Sequence, residues 1–437
     1  GKEGKREKRK GGRDLPPGRS LRKGGKMAIE LLSPAGNYEK LETAFNFGAD
    51  AAYMGMTEFS LRANAGNFSQ EEAEKVRRLK EKTGKKVYCT LNILFKESQM
   101  EKLLTLKDEI ASWPFDAFIV SDIGTVPFLK KNFPDRALHL STQASCINSE
   151  SAKMYKDMGF ERVILGREAS ISDIKKIKDK VPELELEAFV HGAMCMSYSG
   201  RCMLSSYLTG RSANRGDCSH TCRWNYKMYA LEEEERKGTY FPIEENGDYT
   251  TILSSKDLCM IDHVKELEDA GLSSLKIEGR MKSVYYVAAV TRTKKKTTDD
   301  DKDKNLYKRN IFDVSHREFT TGFFFRDDPV ESRVDDDVSR PTSYGYERSY
   351  TFLGTIGKKV KENLWEIDCR NQIKNGQTLE FIGPDVPLLS DSNFKILDEN
   401  GFPIFKLDHM KKGLIETNLP LKEGYIIRRI SDQKYFS

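Results

Sequence analysis

The sequence has no long apolar run, few cysteines and very few histidines. No stretch approaches the roughly 18 to 20 consecutive apolar residues that a membrane-spanning helix needs. Of 437 residues, only 8 are cysteine and 6 are histidine, whereas 32% are charged and 38% are hydrophobic. This composition predicts a soluble protein of two or three folded units that does not enter a membrane.

The chain also lacks the apolar core of a secretory signal in its first 26 residues. That segment holds 11 Lys and Arg against 3 acidic residues, whereas the formal net charge of the whole chain is +5. We expect residues 1–26 to be a disordered basic tail, and the folded protein to begin near Met27. Nothing predicts secretion, so we expect a cytoplasmic protein, whose clustered cysteines bind metal or do redox chemistry rather than form disulfides.

A glycine-rich GxGxxG phosphate loop is missing as well, which argues against an open, doubly wound sheet. Short apolar runs instead alternate with amphipathic stretches of helical spacing, a pattern typical of buried parallel strands and helices. Eight runs over about 250 residues predict a (β/α)₈ TIM-like barrel. The runs are 29–36, 51–55, 85–93, 115–122, 137–145, 162–168, 184–192 and 274–280.

In such a barrel the residues at the carboxyl ends of the strands surround the active site. The residues at these positions are unusually polar for neighbours of apolar strands. We identify as candidate catalytic residues Asn92, Asp122, Gln143, Arg167, His191 and Arg280. Each of them has a structural alternative, which is to cap a helix or to hold a loop.

The remaining boundaries follow from changes in composition. Residues 27–290 form the predicted barrel, with a cysteine-rich loop at 191–226 after strand seven. Residues 291–345 are expected to be a linker, since 291–310 is a low-complexity charged stretch that we expect to be flexible and exposed. Residues 346–437, with short strand-like pieces between Gly, Asn and Pro turns, predict a small all-β barrel.

Half of the cysteines lie within 28 residues of the predicted loop, at Cys195, Cys202, Cys218 and Cys222. Four thiolates can complete the protein ligands of an iron–sulfur cluster, and the nearby glycines allow tight folding around it. A structural zinc site, disulfides and ordinary buried cysteines are the alternatives, although zinc ligands usually come in short Cys-x2-Cys pairs. Cys259 is an alternative fourth ligand.

The loop sequence GAMCMSYSGRCMLSSYLTGRSANRGDC, followed by CRWNY, closely resembles the signature of the collagenase-like peptidase family. The segments ELLSPAGNYEKLETAFNFGADAAYMG, LSTQAS, SSKDLCMIDHV, SLKIEGRMKS and SHREFTTGF resemble its branch for tRNA 5-hydroxyuridine synthesis. The resemblance covers nearly everything from Met27 onward.

This resemblance implies hydroxylation of RNA, at the wobble uridine of tRNA or at a ribosomal cytidine. It further implies an iron–sulfur cluster, expected as [4Fe–4S], and prephenate as co-substrate. Cys195, Cys202 and Cys218 fall on family cysteines. Cys222 lies on the CRW motif of this branch, whereas in other relatives the last ligand lies nearer the region of Cys259.

Three hypotheses follow. The first is an iron–sulfur enzyme that hydroxylates a tRNA uridine, with a small anionic metabolite and an electron-donor protein as further partners. The second is a cysteine peptidase that uses one thiol with His191 or His220 as base. The third is a zinc-stabilised protein that binds tRNA without modifying it.

Overall fold

The computed structural model describes residues 28–56, 70–195, 197–202, 204–209, 211, 218–223, 245–246, 249–250, 255–299, 304–325 and 348–431. The predicted basic tail therefore lies outside the described residues, as do residues 300–303 and 326–345 of the predicted linker. Every helix in the described part is too short or too polar to span a bilayer.

The amino-terminal part contains twelve strands among its described residues. They are β1 (Glu30–Pro34), β2 (Ala51–Gly55), β3 (Lys86–Leu91), β4 (Ala117–Val120), β5 (Ala137–Leu140), β6 (Arg162–Ile164), β7 (Glu185–Ala193), β8 (Glu245–Asn246), β9 (Tyr249–Thr250), β10 (Asp257–Cys259), β11 (Ser274–Ile277) and β12 (Phe319–Thr320).

Eight of these strands, β1 to β7 and β11, are parallel and close into a barrel. Closure occurs because β11 pairs in parallel with β1 on one side and with β7 on the other. This confirms the TIM-like barrel, and each of the eight apolar runs contains one barrel strand. The carboxyl ends of the strands therefore meet at one mouth of the barrel.

The described helices lie mainly between the strands and on the outside of the barrel. They are α1 (Tyr38–Asn46), α2 (Gln70–Thr83), α3 (Glu97–Thr105), α4 (Lys107–Ser112), α5 (Val126–Asn132), α6 (Ser149–Asp157), α7 (Ile171–Lys180), α8 (Leu204–Thr209), α9 (Val264–Asp269), α10 (Val284–Thr298), α11 (Lys304–Lys308) and α12 (Asn310–Asp313). Asn37, Asn148 and Ser283 cap the first turns of α1, α6 and α10 with their side chains, as these residue types do at helix starts.

Two short strands that the sequence reading missed extend the sheet beyond β7. β10 runs antiparallel to β7, and β12 pairs in parallel with β10. A buried ion pair joins this extension, in which Nη2 of Arg317 lies 2.6 Å from Oδ1 of Asp257. Strands of two or three residues are too short to produce a recognisable alternation of apolar and polar positions.

The predicted exposed turn at 291–310 is wrong. Residues up to Thr298 continue α10, which packs against α1 and β1, and α11 and α12 follow. Lys294 is buried and donates a hydrogen bond to the carbonyl of Val190, while Arg292 donates two to the carbonyls of Gly383 and Val386. The charge run was misleading because backbone carbonyls of neighbouring elements satisfy these cations.

The carboxyl-terminal part is all-β, as predicted, and forms an antiparallel half-barrel. Its strands are β13 (Tyr350–Lys361), β14 (Leu364–Cys369), β15 (Ile373–Lys374), β16 (Leu379–Ile382), β17 (Leu389–Asp391), β18 (Lys395–Leu397), β19 (Pro403–Ile404), β20 (Lys406–Leu407), β21 (Lys412–Glu416) and β22 (Ile426–Ile430). Eight of them form one sheet in the order β17-β16-β22-β13-β14-β21-β18-β19.

The half-barrel packs beside α1 and α10. Arg428 on β22 lies 2.8 Å from Oδ2 of Asp313 and donates a second hydrogen bond to the hydroxyl of Tyr285. Ile382 and Ile426 belong to the same apolar cluster as the barrel core. These contacts join the two parts through buried apolar and charged groups.

The interior of the barrel near the amino ends of the strands is ionic. Arg162 on β6 is fully buried and lies 2.6 Å from Glu30, 2.7 Å from Glu185 and 2.9 Å from Glu187. Lys276 on β11 lies 3.2 Å from Glu187. Two cations, Arg162 and Lys276, thus lie among three carboxylates, and Glu185 is the only one of the three that is partly exposed.

Replacing Arg162 with Met should lower the free energy of unfolding by about 3 to 5 kcal/mol, because buried carboxylates lose their cation. Urea-induced unfolding measures this. Lys75→Met is the control, since it breaks an exposed pair with Glu71 on α2 and should leave the unfolding midpoint unchanged. An Arg162→Met protein as stable as the wild type would show that the network does not stabilise the barrel.

Candidate functional site

A cavity of about 150 Å³ lies between the carboxyl ends of the barrel strands and the segment that follows β7. All four cysteines of the predicted loop line it. The lining also includes four of the six candidate catalytic residues. The cysteines are Cys195, Cys202, Cys218 and Cys222, and the other four are Asn92, Gln143, Arg167 and Arg280.

The segment after β7 is held over the barrel mouth by Glu168. Its carboxylate accepts a hydrogen bond of 2.9 Å from the backbone N–H of Ser199, and the hydroxyl of Ser199 lies 3.3 Å from the same carboxylate. Gly200 follows with a φ of 75°, and a Cβ there would lie 2.1 Å from the carbonyl oxygen of Gln143. Only glycine permits so close an approach of two backbones.

A small hydroxyl network brings the second pair of cysteines to the same cavity. Ser205, at the start of α8, bonds the hydroxyl of Ser219 at 2.7 Å and accepts the backbone N–H of Ser219 at 3.0 Å. Cys202 precedes α8, and Cys218 precedes Ser219. The hydrogen bonds of Ser205 therefore link the two parts of the loop that carry these thiols.

The thiols of Cys195 and Cys202 interact directly. A hydrogen bond from Cys195 to the sulfur of Cys202 lowers the pKa of Cys202 to about 5 and raises the pKa of Cys195. The arrangement therefore favours a thiolate at Cys202, which is the form that binds metals and acts as a nucleophile.

The other cysteines have different surroundings. Burial raises the pKa of Cys89 to about 12 and the pKa values of Cys146 and Cys369 to about 11, as expected for unreactive core thiols. Cys259 lies on β10, paired with His191 across the ladder, and does not line the cavity. Among the described residues, no group of three or more His, Cys, Asp or Glu converges on a point where one metal ion could bind.

The cavity wall carries two arginine side chains, Arg167 and Arg280, and one carboxylate, Glu278. Arg280 is buried and donates a hydrogen bond of 2.9 Å to the hydroxyl of Thr90, which holds its guanidinium in place. The guanidinium of Arg167 lies 4.2 Å from the ring centre of Phe189. Planar guanidinium groups bind carboxylates and phosphates through two parallel hydrogen bonds. The cavity therefore suits an anionic ligand.

Asp122 does not line the cavity. Its carboxylate accepts hydrogen bonds of 3.0 Å from the backbone N–H groups of Gly124 and Phe95. It caps the turn after β4 and ties that turn to the chain after β3. This is the structural alternative that the sequence reading left open.

His191, another candidate catalytic residue, also lies outside the cavity. It is buried on β7 beside the rings of Tyr286 and Phe319. Burial, followed by the nearby positive charge of Lys294, lowers the pKa of His191 well below its usual value. His220, the other histidine of the peptidase hypothesis, does line the cavity.

Two further groups of cavity residues were missed. Tyr53 and Phe189 come from barrel strands, and Tyr198, Ser199 and Thr221 come from the cysteine-rich loop. The alternation along β2 could have indicated Tyr53, because residues 51, 53 and 55 share one face of the strand. No sequence signal indicates which loop residues face inward.

Comparison with known proteins shows which family has both of these parts. The model of peptidase family U32 matches residues 36–333, and the model of the family's C-terminal domain matches residues 348–428. The chain belongs to peptidase family U32.

Among U32 relatives, the chain is 34% identical over 398 residues to "tRNA hydroxylation protein P" of Escherichia coli, covering 81% of this chain and 86% of the relative. It is 40% identical over 304 residues to the protein of the same name from Helicobacter pylori, covering 68% and 72%. It is 37% identical over 263 residues to the "23S rRNA 5-hydroxycytidine C2501 synthase" of Escherichia coli, covering 60% and 38%.

The buried His191 should make stability depend on pH. Its ring is neutral in the folded chain, whereas the unfolded chain binds a proton below the ordinary histidine pKa of about 6.5. The free energy of unfolding should therefore fall as the pH drops below about 6.5, by up to about 1.4 kcal/mol per pH unit from this group. His191→Gln should remove that part of the slope. Urea unfolding between pH 7.5 and 5.5 measures it, and an unchanged slope would contradict a neutral, buried His191.

Proposed function

We propose that this U32 protein hydroxylates a uridine of tRNA with the help of an iron–sulfur cluster. The observation that carries the proposal is that four cysteines, two arginines and two amide side chains line one cavity at the barrel mouth. The names of the relatives support RNA hydroxylation as the reaction class.

The donor set fits an iron–sulfur cluster. Four cysteine sulfurs are the usual protein ligands of [4Fe–4S] clusters, and such a cluster spreads its ligands over several irons. The four thiols surround a cavity, whereas no group of described ligands converges on a single ion. Bound by Cys195, Cys202, Cys218 and Cys222, such a cluster would supply one-electron transfer.

The arginines would bind the anionic co-substrate, which the family resemblance implies is prephenate. Arg280 is suited to this because Thr90 fixes its guanidinium in advance, so less entropy is lost on binding. Arg167 lies against Phe189, which holds that guanidinium at the cavity wall. Two cations beside the thiolates also offset the negative charge that thiolates and a carboxylate bring together.

The amides and Tyr198 would hold the base. Asn92 and Gln143 each offer one acceptor and two donors, which match the carbonyl and imide groups of uracil. Tyr198, whose side chain is 49% exposed, provides aromatic surface against which a base can stack, whereas Tyr53 and Phe189 are buried beneath cations. A uridine of the anticodon loop is single-stranded, so it reaches such a cavity at low cost. An electron-donor protein completes the proposed set of partners.

One observation favours the peptidase hypothesis as a second candidate. Cys202, whose pKa is lowered to about 5, and His220 line the same cavity. A peptidase needs such a pair but has no use for the other three thiols. The two hypotheses differ in how many cysteines matter, and this is measurable.

A cluster bound by the four cavity cysteines predicts which cysteine replacements lower the iron content. Protein purified without air should contain iron and acid-labile sulfide in matching amounts. Serine at Cys195, Cys202, Cys218 or Cys222 should lower both, because each loses one cluster ligand. Cys259→Ser is the matched control and should keep the wild-type amounts. Zinc in place of iron would contradict the cluster, and iron lost only in Cys259→Ser would contradict the assigned fourth ligand.

The reaction itself is tested on the nucleosides of tRNA. Wild-type protein, expressed in bacteria that lack their own tRNA hydroxylation protein, should restore 5-hydroxyuridine-derived nucleosides, as measured by mass spectrometry. The Cys202→Ser and Cys218→Ser variants should both lose this product. A peptidase would leave tRNA unchanged, and it would lose peptide cleavage in Cys202→Ser but keep it in Cys218→Ser.

A further inference from the structure

The half-barrel carries unusual exposed aromatic groups. Phe405 and Phe402 are the two most exposed large apolar side chains among the described residues, at 70% and 67%. Met410 is 62% exposed. All three belong to residues 402–412, a stretch that begins just before β19, includes β20 and ends at the start of β21. We call this stretch, together with Lys374, the basic aromatic face.

The same stretch carries excess positive charge. Lys406, Lys411 and Lys412 are exposed, whereas the stretch has one acidic residue, Asp408, and Asp368 lies opposite Lys412 on the neighbouring strand β14. Lys374 lies directly opposite Lys406 across the β15–β20 pair. Like charges in that position destabilise a strand pair, and the single carboxylate of Asp408 interacts with both of them, at 3.3 Å from Lys406. A bound anion would remove the remaining repulsion.

The basic aromatic face is connected to the end of the barrel where the cavity lies. The ring of His409 hydrogen-bonds to the carbonyl of Arg370, whose guanidinium lies 3.1 Å from Glu39 in the first turn of α1. The neighbouring Lys40 donates a hydrogen bond of 3.2 Å to the carbonyl of Arg280, a cavity residue. α1 starts just after β1 ends, which places these contacts at the barrel mouth.

We propose that the basic aromatic face binds single-stranded nucleotides of the RNA whose base enters the cavity. Exposed rings stack on bases of any identity, and lysines beside them neutralise the backbone phosphates. Lysine is depleted at the centres of protein–protein interfaces, so the alternation of rings and lysines favours RNA over a protein partner. The inference rests on the proposed function, since it takes tRNA as the substrate.

The test measures binding of transcribed tRNA to the full chain at several salt concentrations. Phe402→Ala with Phe405→Ala should raise Kd by about tenfold or more, because each lost stack weakens binding. Lys406→Glu with Lys411→Glu should reduce the dependence of log K on log salt by about one or more, because phosphate contacts are lost. The charge-matched control is Lys175→Glu with Lys176→Glu on α7, which should keep the wild-type slope.

The replaced side chains are exposed, so both variants should keep the melting temperature of the wild type. Wild-type Kd and salt slope in both variants would overturn the inference. The same result accompanied by loss of self-association in light scattering would assign the face to a second copy of the chain instead. Nucleoside analysis of the same samples separates the two proposals. If the variants bind tRNA more weakly but the wild type forms no hydroxylated nucleoside, the proposed function is contradicted while the basic aromatic face is still supported as an RNA-binding surface.

Discussion

The carboxylate of Glu168 is the contact on which the cavity depends. It accepts hydrogen bonds from the backbone N–H and the hydroxyl of Ser199, and so holds the chain that follows β7 against the barrel mouth. Gly200 then fits against the backbone of Gln143. These contacts bring Cys195 and Cys202 to the same cavity as Tyr53 on β2, Asn92 after β3 and Arg280 after β11.

Charge is distributed along the barrel in a way that serves the cavity. Near the amino ends of the strands, carboxylates surround Arg162 and neutralise it. Toward the carboxyl ends, Arg167 and Arg280 line the cavity. Four thiolates and an anionic co-substrate would repel one another strongly in a partly buried space. The arginines reduce that repulsion, which gives one physical reason for placing them at this mouth.

The barrel was predictable because each strand is a short apolar run and each helix has a clear apolar face. The loop cysteines were predictable as a group because their clustering is improbable by chance.

The differences between prediction and structure arise because the sequence alone does not show which distant segments pack together. Asp122 and Asn92 both follow a strand, yet only Asn92 lines the cavity, since a position after a strand does not determine where a side chain points. His191 was predicted to lie at a strand end, but β7 continues past the barrel to pair with β10, and His191 is buried there. The charges of α10 were read as exposed because their partners are distant backbone carbonyls.

The central claim is that the four loop cysteines bind one iron–sulfur cluster in the cavity. Anomalous diffraction from crystals grown without air, measured on both sides of the iron absorption edge, tests this most directly. The account predicts a single strong iron peak within bonding distance of the sulfurs of Cys195, Cys202, Cys218 and Cys222. An iron peak bonded to Cys259 instead of Cys222, a zinc signal at the four thiols, or disulfides between them would contradict it.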